Sequence, residues 1–376
     1  MNQKKLTFAF IQSYSIEMAK KNILRAHAEN LFVKELTALK KADKGYQPEN
    51  WKLSPKMVVL YILGGKLDNG TVITPKYFGQ KKLIEQAVAT LVTDRALLLT
   101  GSPGTAKTWV SEHLAAAISG DSTLLVQGTS GISEDALRYG WNYAQLLSNG
   151  PSMKALVASP VMKAMQEGKI VRVEELTRIP ADVQDALITI LSEKALPIAE
   201  LNDEVQAQRG FNLIATANDR DKGINELSSA LQRRFNTISL PLPATLEEEI
   251  IIVKHRLESI QSALPKGKGI IAEEEIEKLI TIFRELRSGK TEDGRNKVKT
   301  PSGTLSTAEA ISVANNSLAM AQYFGNGKVT AEELVSSMTG TIIKDTEKDG
   351  VVWKEYLETI VRYRKGWEDI YKFGVE

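Results

Sequence analysis

The residues from Gly101 to Thr108 place glycines, a lysine and hydroxyls in an order that suits phosphate chemistry. They read G-S-P-G-T-A-K-T: Gly101, Ser102, Pro103, Gly104, Thr105, Ala106, Lys107 and Thr108. In such a loop the backbone N–H groups point at phosphate oxygens, the lysine adds positive charge at the outer phosphates, and the last hydroxyl binds Mg²⁺. We therefore predict a phosphate-binding loop for ATP and Mg²⁺. The alternative is a plain Gly-Pro turn between a strand and a helix.

Ala106 departs from the usual loop pattern, which has a glycine before the lysine. We expect this position to open the following helix, where a Cβ is tolerated and the backbone N–H remains a donor. The loop should therefore stay intact.

Two carboxylates, Glu174 and Glu175, end an apolar run within residues 168–180 that is typical of a strand. Carboxylates at the carboxyl end of a parallel strand lie at the same sheet edge as the phosphate loop. We assign Glu174 to Mg²⁺ and Glu175 to polarising the attacking water. The alternative is a pair of acids that favours a helix dipole. Arg172, inside the same strand, has no role that the sequence assigns.

Asn218 follows another apolar run, and its amide is placed to orient the attacking water; the alternative is an Asn turn. Arg233 and Arg234 lie near the end of the segment 228–235, where a helix is predicted to close. Two arginines at a helix carboxyl end favour its dipole whatever their function. The sharper hypothesis is that at least one of them reaches a nucleotide bound to a neighbouring subunit.

The elements that must position these residues alternate between strands and helices. We predict strands at 96–99, 122–127, 168–175, 210–218 and 237–243, with helices after the loop and at 181–193. Helices follow at 245–257, 272–286, 306–321 and 330–339, and a polar loop covers 288–303.

Residues 1–75 form a preamble with amphipathic helices between 15 and 41. Tyr77 and Phe78 border either a nucleobase or the core. Residues 128–160 are either a packed insertion or a loop that engages a partner.

The composition is that of an ordinary globular protein of 376 residues, with 43% apolar and 25% charged residues. A net charge of +2 gives no reason to expect a nucleic-acid surface. The chain has no cysteine and only three histidines, which excludes disulfides and argues against a histidine metal site. No stretch approaches the roughly 20 apolar residues of a membrane span, so we expect a cytoplasmic protein.

The chain resembles the AAA+ ATPases in the order of its features. These are the phosphate loop, the Glu-Glu strand end, the A-T-A-N strand end, the L-Q-R-R-F segment and the helical region. The MoxR-type branch is the most similar, through G-S-P-G-T-A-K-T, E-E-L-T-R-I-P and A-T-A-N-D. The resemblance covers residues 76–340. It implies an α/β fold with an αβα P-loop core and a parallel five-stranded sheet at 76–243, then an α-helical lid at 244–345. Helical additions would occupy 1–75 and 346–376.

The resemblance also implies roles for single residues. Gly101 to Thr108 match Walker A, Glu174 and Glu175 match Walker B, Asn218 matches sensor 1, and Arg234 or Arg233 matches the arginine finger. Gly79 and Gln80 match a turn near the adenine. Ala308 stands about where a sensor 2 arginine is expected, and Glu174 is one methylene longer than the usual Asp. Residues 128–160 and 195–208 match the helix-2 insert and the pre-sensor hairpin.

The function implied is Mg²⁺-dependent ATP hydrolysis by a hexameric ring that remodels a protein client. A partner with a von Willebrand factor A domain is implied by the MoxR branch alone. Two other functions stay open. One is a nucleotide-gated scaffold with little hydrolysis, and the other is a nucleic-acid-remodelling motor, against which the near-neutral charge argues.

Overall fold

The computed structural model describes residues 23–218, 225–261 and 269–375. It begins with α1 (Ala28–Leu31), α2 (Val33–Ala42) and α3 (Pro55–Leu63), then the short antiparallel strands β1 (Gly65–Lys66) and β2 (Val72–Ile73). Pro55 lies in the first turn of α3, where its missing N–H is not needed, and Gly64 ends that helix with a φ of 74°. Part of the helical stretch predicted at 15–41, residues 15–22, lies outside the described residues.

The middle of the chain alternates strands and helices. In chain order its elements are α4 (Lys81–Val92), β3 (Ala96–Thr100), α5 (Lys107–Ser119), β4 (Leu125–Gln127), β5 (Tyr139–Trp141), α6 (Tyr143–Asn149), β6 (Leu156–Ala158), α7 (Pro160–Glu167), β7 (Ile170–Glu174), α8 (Ala181–Gln184), α9 (Ala186–Glu193), β8 (Ala195–Ile198), β9 (Asp203–Gln206), β10 (Asn212–Thr216), α10 (Ser229–Gln232) and β11 (Phe235–Ser239). Five strands form one sheet in the spatial order β11-β3-β10-β7-β4, and every neighbouring pair is parallel. The predicted parallel five-stranded sheet is thereby confirmed.

Hydrophobic clusters cover both faces of this sheet. Successive side chains of a strand point to opposite faces. Leu97 and Leu99 accordingly join apolar residues of α3, α4 and α5, whereas Leu98 joins those of α7 and α9 on the other face. The first cluster also contains Leu39 of α2 and Tyr61 of α3. The N-terminal helices therefore pack on the sheet domain, and helices lie on both faces of the sheet.

Besides β1–β2, two small antiparallel units lie outside the main sheet. Strands β5 and β6 flank α6 within residues 128–160, and β8 pairs with β9 as a hairpin within 195–208. The hydroxyl of Tyr139 donates to Glu200 at 2.8 Å, and the guanidinium of Arg138 donates to the carbonyl of Pro197 at 2.8 Å. The insertion and the hairpin thus contact each other. Helix α6 exposes Tyr143 and Leu147 one turn apart, and whether this face binds a partner stays a prediction.

The last third of the chain is helical, as expected. It comprises α11 (Leu246–Gln261), α12 (Glu273–Ser288), α13 (Thr307–Tyr323), α14 (Ala331–Ile342), α15 (Lys348–Thr359) and α16 (Glu368–Val375). One hydrophobic cluster joins the first four helices to Trp353, Tyr356 and Ile370 of the last two. Trp353 and Tyr356 therefore pack on α11–α14, the four helices that we call the lid. Over the described ranges, no helix combines the length and apolarity needed to cross a membrane.

Candidate nucleotide-binding site

Two glycines of the loop between β3 and α5 have backbone conformations that side chains rarely adopt. Gly101 and Gly104 have φ values of 140° and 80°, in the left-handed half of conformational space. A Cβ on Gly101 would lie 2.5 Å from the carbonyl oxygen of Leu240, and one on Gly104 would lie 2.4 Å from the Cβ of Ser306. Both positions therefore require glycine. The loop is held between the end of β11 and the start of the lid helix α13.

Ala106 differs from its expected conformation. It does not open the helix but precedes it as the N-cap residue, with φ of 67° and ψ of 20°. The expectation that Ala106 begins the helix was therefore wrong. Its Cβ is accommodated at a cost, because a left-handed alanine costs about 1–2 kcal/mol relative to the right-handed conformation. The glycine of the usual pattern is thus explained by backbone conformation, and this chain accepts the strain.

Lys107 lies at the first position of α5 and is largely buried. Its ammonium donates to the carbonyl oxygens of Gly101 at 2.8 Å and Ser102 at 2.9 Å. The loop therefore wraps around its own lysine. This arrangement puts a cation and the amino end of a 13-residue helix at the same place, and both attract an anion there.

Thr108 and Glu174 lie in direct contact, as a metal site at this edge requires. The hydroxyl of Thr108 donates to Oε2 of Glu174 at 2.8 Å, and the Glu174 side chain is 2% exposed. Carboxylate and hydroxyl oxygens are hard donors, which Mg²⁺ prefers, and Mg²⁺ usually retains waters and phosphate oxygens as its other ligands. The two residues therefore fit a Mg²⁺–nucleotide site.

Three further residues bind Glu174, and sequence reasoning assigned a role to none of them. Ser111 of α5 and Arg172 of β7 donate to Oε1 at 2.5 and 2.8 Å, and Thr216 of β10 donates to Oε2 at 2.7 Å. The signal available in the sequence was Arg172 itself, a charged residue inside an otherwise apolar strand. Its partners lie on other elements, so their contact with Glu174 becomes visible only in the fold.

Glu175 and Asn218 lie at the carboxyl ends of the neighbouring strands β7 and β10. The amide of Asn218 donates to the two carboxylate oxygens of Glu175 at 3.1 and 2.9 Å. Glu175 has a left-handed backbone, with φ of 56°, and its N–H donates to the hydroxyl of Thr216 at 3.1 Å. Strained backbone in a non-glycine residue is concentrated at functional sites. The structure thus brings together the predicted water-polarising and water-orienting residues.

Arg233 and Arg234 lie at the other edge of the sheet. Arg234 immediately precedes β11, whose first residue is paired with Ala96, whereas Gly101 follows the far end of β3. At the usual rise per strand residue, about 15–20 Å separate them. Both arginines line an open cavity of about 320 Å³ together with Asp94, Arg95, Leu191 and Ser192. They are therefore not brought to the nucleotide site of their own chain.

Gly79 and Gln80 precede α4, with Gln80 as its N-cap residue. The ring of Tyr77 folds over Gly79 and is 6% exposed, so of the two possibilities left open for Tyr77 it belongs to the core. Phe78 contacts His255 of α11 edge-on, with ring centroids 5.3 Å apart. This turn thus lies where the core meets the first lid helix, and its contact with an adenine stays a prediction.

The lid reaches the phosphate loop through the amino end of α13. Ser306 caps this helix by a capping box with Glu309, and the N–H of Ala308 would lie 3.5 Å from a Cβ on Gly104. Where a sensor 2 arginine is expected, the lid therefore presents backbone and a methyl group.

Two protein-family models match this chain, one in its core and one in its helical part. The model of the AAA domain of the dynein-related subfamily matches residues 96–235, and the model of the YehL-like AAA+ ATPase C-terminal domain matches residues 247–372. The first range contains the phosphate loop, both glutamates and the two arginines. The second contains almost the whole helical part.

Relatives are found both along the whole chain and along its core. The uncharacterized protein YehL of Escherichia coli (strain K12) is 38% identical over 359 residues, which cover 93% of this chain and 97% of YehL. Midasin of Dictyostelium discoideum is 29% identical over 137 residues, or 35% of this chain and 2% of Midasin. Among solved structures, NtrX from Brucella abortus in complex with ATP is 15% identical at a TM-score of 0.46, covering 78% of this chain and 64% of that chain. On the full-length match to YehL and the two family models, this chain belongs to the YehL-like family of AAA+ ATPases.

Proposed function

We propose that this chain is a Mg²⁺-dependent ATPase of the MoxR type that works as a homo-oligomer, a hexameric ring, and remodels a protein client. The observation that carries the catalytic part is the pairing of Glu175 with Asn218 next to the pairing of Thr108 with Glu174. Both pairs lie at the carboxyl edge of the sheet, beside the phosphate loop.

Each pair has a separate task in phosphoryl transfer, which depends mainly on positioning and on stabilising charge. Glu175 accepts a hydrogen bond from the attacking water and polarises it, while Asn218 keeps that carboxylate in place. Lys107 neutralises charge on the outer phosphates. The Thr108 hydroxyl would hold the metal, and Glu174 would support it by accepting the Thr108 proton and adding negative charge beside it. The bound metal would screen the phosphate charge.

The position of the arginines supports an oligomer. Arg233 and Arg234 lie too far from their own phosphate loop to serve it, and Arg95 lies beside them. None of these three cations has a carboxylate partner among the described residues. An arginine that completes the site of an adjacent copy stabilises the charge of the transition state. We assign this role to Arg234, with Arg233 as the alternative.

The client and the partner are proposed from family resemblance alone. A von Willebrand factor A domain protein is the partner that the MoxR branch implies, and cytoplasmic location stays the expectation from the sequence. The face of α6 that exposes Tyr143 and Leu147 supports contact with a protein client, because two large apolar side chains lie in solvent there. The hairpin β8–β9 adjoins this insertion.

Steady-state ATP hydrolysis over a range of protein concentrations tests the proposal, with Glu175→Gln as the paired variant. We expect turnover per subunit to rise with concentration, and the variant to bind ATP without hydrolysing it. If the parent binds ATP and does not turn it over at any concentration, the scaffold function replaces the ATPase. Stimulation of turnover by duplex DNA would instead support the nucleic-acid motor.

A further inference from the structure

Arg172 is a buried cation that the proposed chemistry does not use. It lies on β7, two residues before Glu174, and its side chain is 5% exposed. A charge in the interior of a central strand loses its hydration, so its partners must compensate. The hydrogen-bond partners of Arg172 indicate its role.

The guanidinium of Arg172 is fixed from three directions. Its Nε donates to the hydroxyl of Ser111 on α5 at 3.1 Å, and its Nη1 donates to the carbonyl of Ser122 at 3.1 Å. Its Nη2 donates to Oε1 of Glu174 at 2.8 Å and lies 3.4 Å from the carbonyl of Thr108. All three nitrogens are therefore engaged, and the planar group has one orientation available to it.

This fixed group determines how the Glu174 carboxylate is turned. Oε1 accepts from Arg172 and Ser111, and Oε2 accepts from Thr108 and Thr216. Four donors match the lone-pair capacity of a carboxylate. Because Oε1 is held on the arginine side, Oε2 faces the hydroxyl of Thr108 on the phosphate-loop helix.

The direction of the Thr108 hydroxyl proton then determines whether the hydroxyl oxygen can bind a cation. A threonine hydroxyl has one proton and two lone pairs. When the proton goes to Oε2 of Glu174, the lone pairs remain for a cation on the nucleotide side. If the carboxylate turned away, that orientation of the hydroxyl would be lost.

We propose that Arg172 is a positioning residue for Mg²⁺, which acts through Glu174 on Thr108 and touches neither the metal nor the nucleotide. The inference rests on the proposed function, because it concerns the same nucleotide site. It differs from a purely structural role, in which Arg172 would only compensate the buried charge of Glu174 and stabilise the sheet.

The test is a Mg²⁺ titration of the binding of a fluorescent nucleotide, N-methylanthraniloyl-ADP, to the full chain, with a parallel measurement in EDTA. Arg172→Lys keeps the charge and loses the planar fork. We expect it to raise the Mg²⁺ concentration of half-maximal effect by about 10- to 100-fold, the usual range for outer-shell partners of a metal ligand. Affinity for the nucleotide in EDTA should not change.

Two further variants separate positioning from stability. Asn212→Ala removes buried hydrogen bonds from Asn212 to the carbonyls of Leu91, Thr93 and Arg95 at the opposite end of β10. It should lower the melting temperature and leave the Mg²⁺ midpoint unchanged. The pair Arg172→Leu with Glu174→Gln removes both buried charges, so that no unpaired ion is left. Because Arg172 acts through Glu174, the Mg²⁺ midpoint of this pair should equal that of Glu174→Gln alone.

The outcomes separate the two proposals. If Arg172→Lys folds and keeps the parent's Mg²⁺ midpoint, or if the midpoint of the paired variant differs from that of Glu174→Gln alone, Arg172 does not act through Glu174 and the inference is overturned. If the parent's own binding of the nucleotide does not respond to Mg²⁺, the proposed Mg²⁺–nucleotide site fails before Arg172 is considered.

Discussion

The side-chain amide of Asn218 donates to both carboxylate oxygens of Glu175, at 3.1 and 2.9 Å. The two residues follow different strands, β10 and β7, which are paired along four registered positions. The sheet therefore sets the distance between them. A carboxylate that is fixed in this way has its orientation before any nucleotide arrives, which reduces the reorganisation needed during the reaction.

Replacing Asn218 by alanine should reduce turnover more than binding. We expect kcat to fall by about 10²- to 10³-fold, because the carboxylate of Glu175 loses the amide that holds it and the water loses its orientation. The measurement is steady-state ATP hydrolysis together with nucleotide affinity. Asn212→Ala, at the other end of the same strand, is the matched control. A kcat equal to that of the parent would show that the pair has no part in the chemistry.

The ATPase activity that Arg234→Ala loses should return when this variant is mixed with Glu175→Gln. Arg234→Ala alone should lower turnover by about 10³- to 10⁵-fold if this arginine acts between subunits, and Glu175→Gln alone should also abolish it. In a mixture of the two variants, some sites combine an intact Glu175 with an intact Arg234, so activity returns. A mixture as inactive as its components contradicts a shared site, and Arg233→Ala tested in the same way shows which arginine acts.

Ala106→Gly should stabilise the protein although it removes a methyl group. Glycine relieves the left-handed strain at φ of 67°, and part of that gain is lost to the greater freedom of the unfolded chain. We expect a net gain of about 0.5–1 kcal/mol in the free energy of unfolding, measured with urea. Ala319→Gly, inside the regular helix α13, is the control and should cost about 1 kcal/mol. Equal losses in both variants would refute strain at Ala106.

The stability of the protein should fall when the pH drops below about 6.5, the usual histidine pKa, because of His113. Its side chain is fully buried on α5, with Nδ1 2.9 Å from the hydroxyl of Tyr61. Burial above all, and then the nearby cations Lys76, Arg256, Arg172 and Arg25, lower the pKa of His113 well below its usual range. The unfolded chain therefore binds a proton that the folded chain does not, so stability is full above about pH 6.5 and declines by about 1.4 kcal/mol per pH unit below it.

Urea unfolding at pH 7.5, 6.5 and 5.5 measures this dependence. His113→Gln keeps an acceptor for Tyr61 and has no titration, so its stability should be nearly flat over that range. A parent and variant with parallel pH curves would assign the loss to other groups.

The pattern of apolar runs and the spacing of polar residues were enough to predict the five-stranded sheet and the residues at its carboxyl edge. Apolar runs followed by Glu174, Glu175 and Asn218 predict strand ends, and parallel pairing then brings those side chains together. The backbone of Ala106 could not be predicted, because its left-handed φ depends on how the whole loop closes around Lys107. The role of Arg172 was also out of reach, since its partners come from α5 and from the loop before β4.

The contact of Ser306 with Gly104 joins two parts of the chain that are about 200 positions apart. A hybrid protein that combines this core with the helical part of another AAA+ ATPase therefore inherits only half of that junction. Exchange of the phosphate loop and the first turn of α13 as one unit preserves it. The two family models match the chain on either side of residues 236–246. Residues from both matched parts nevertheless meet at the phosphate loop.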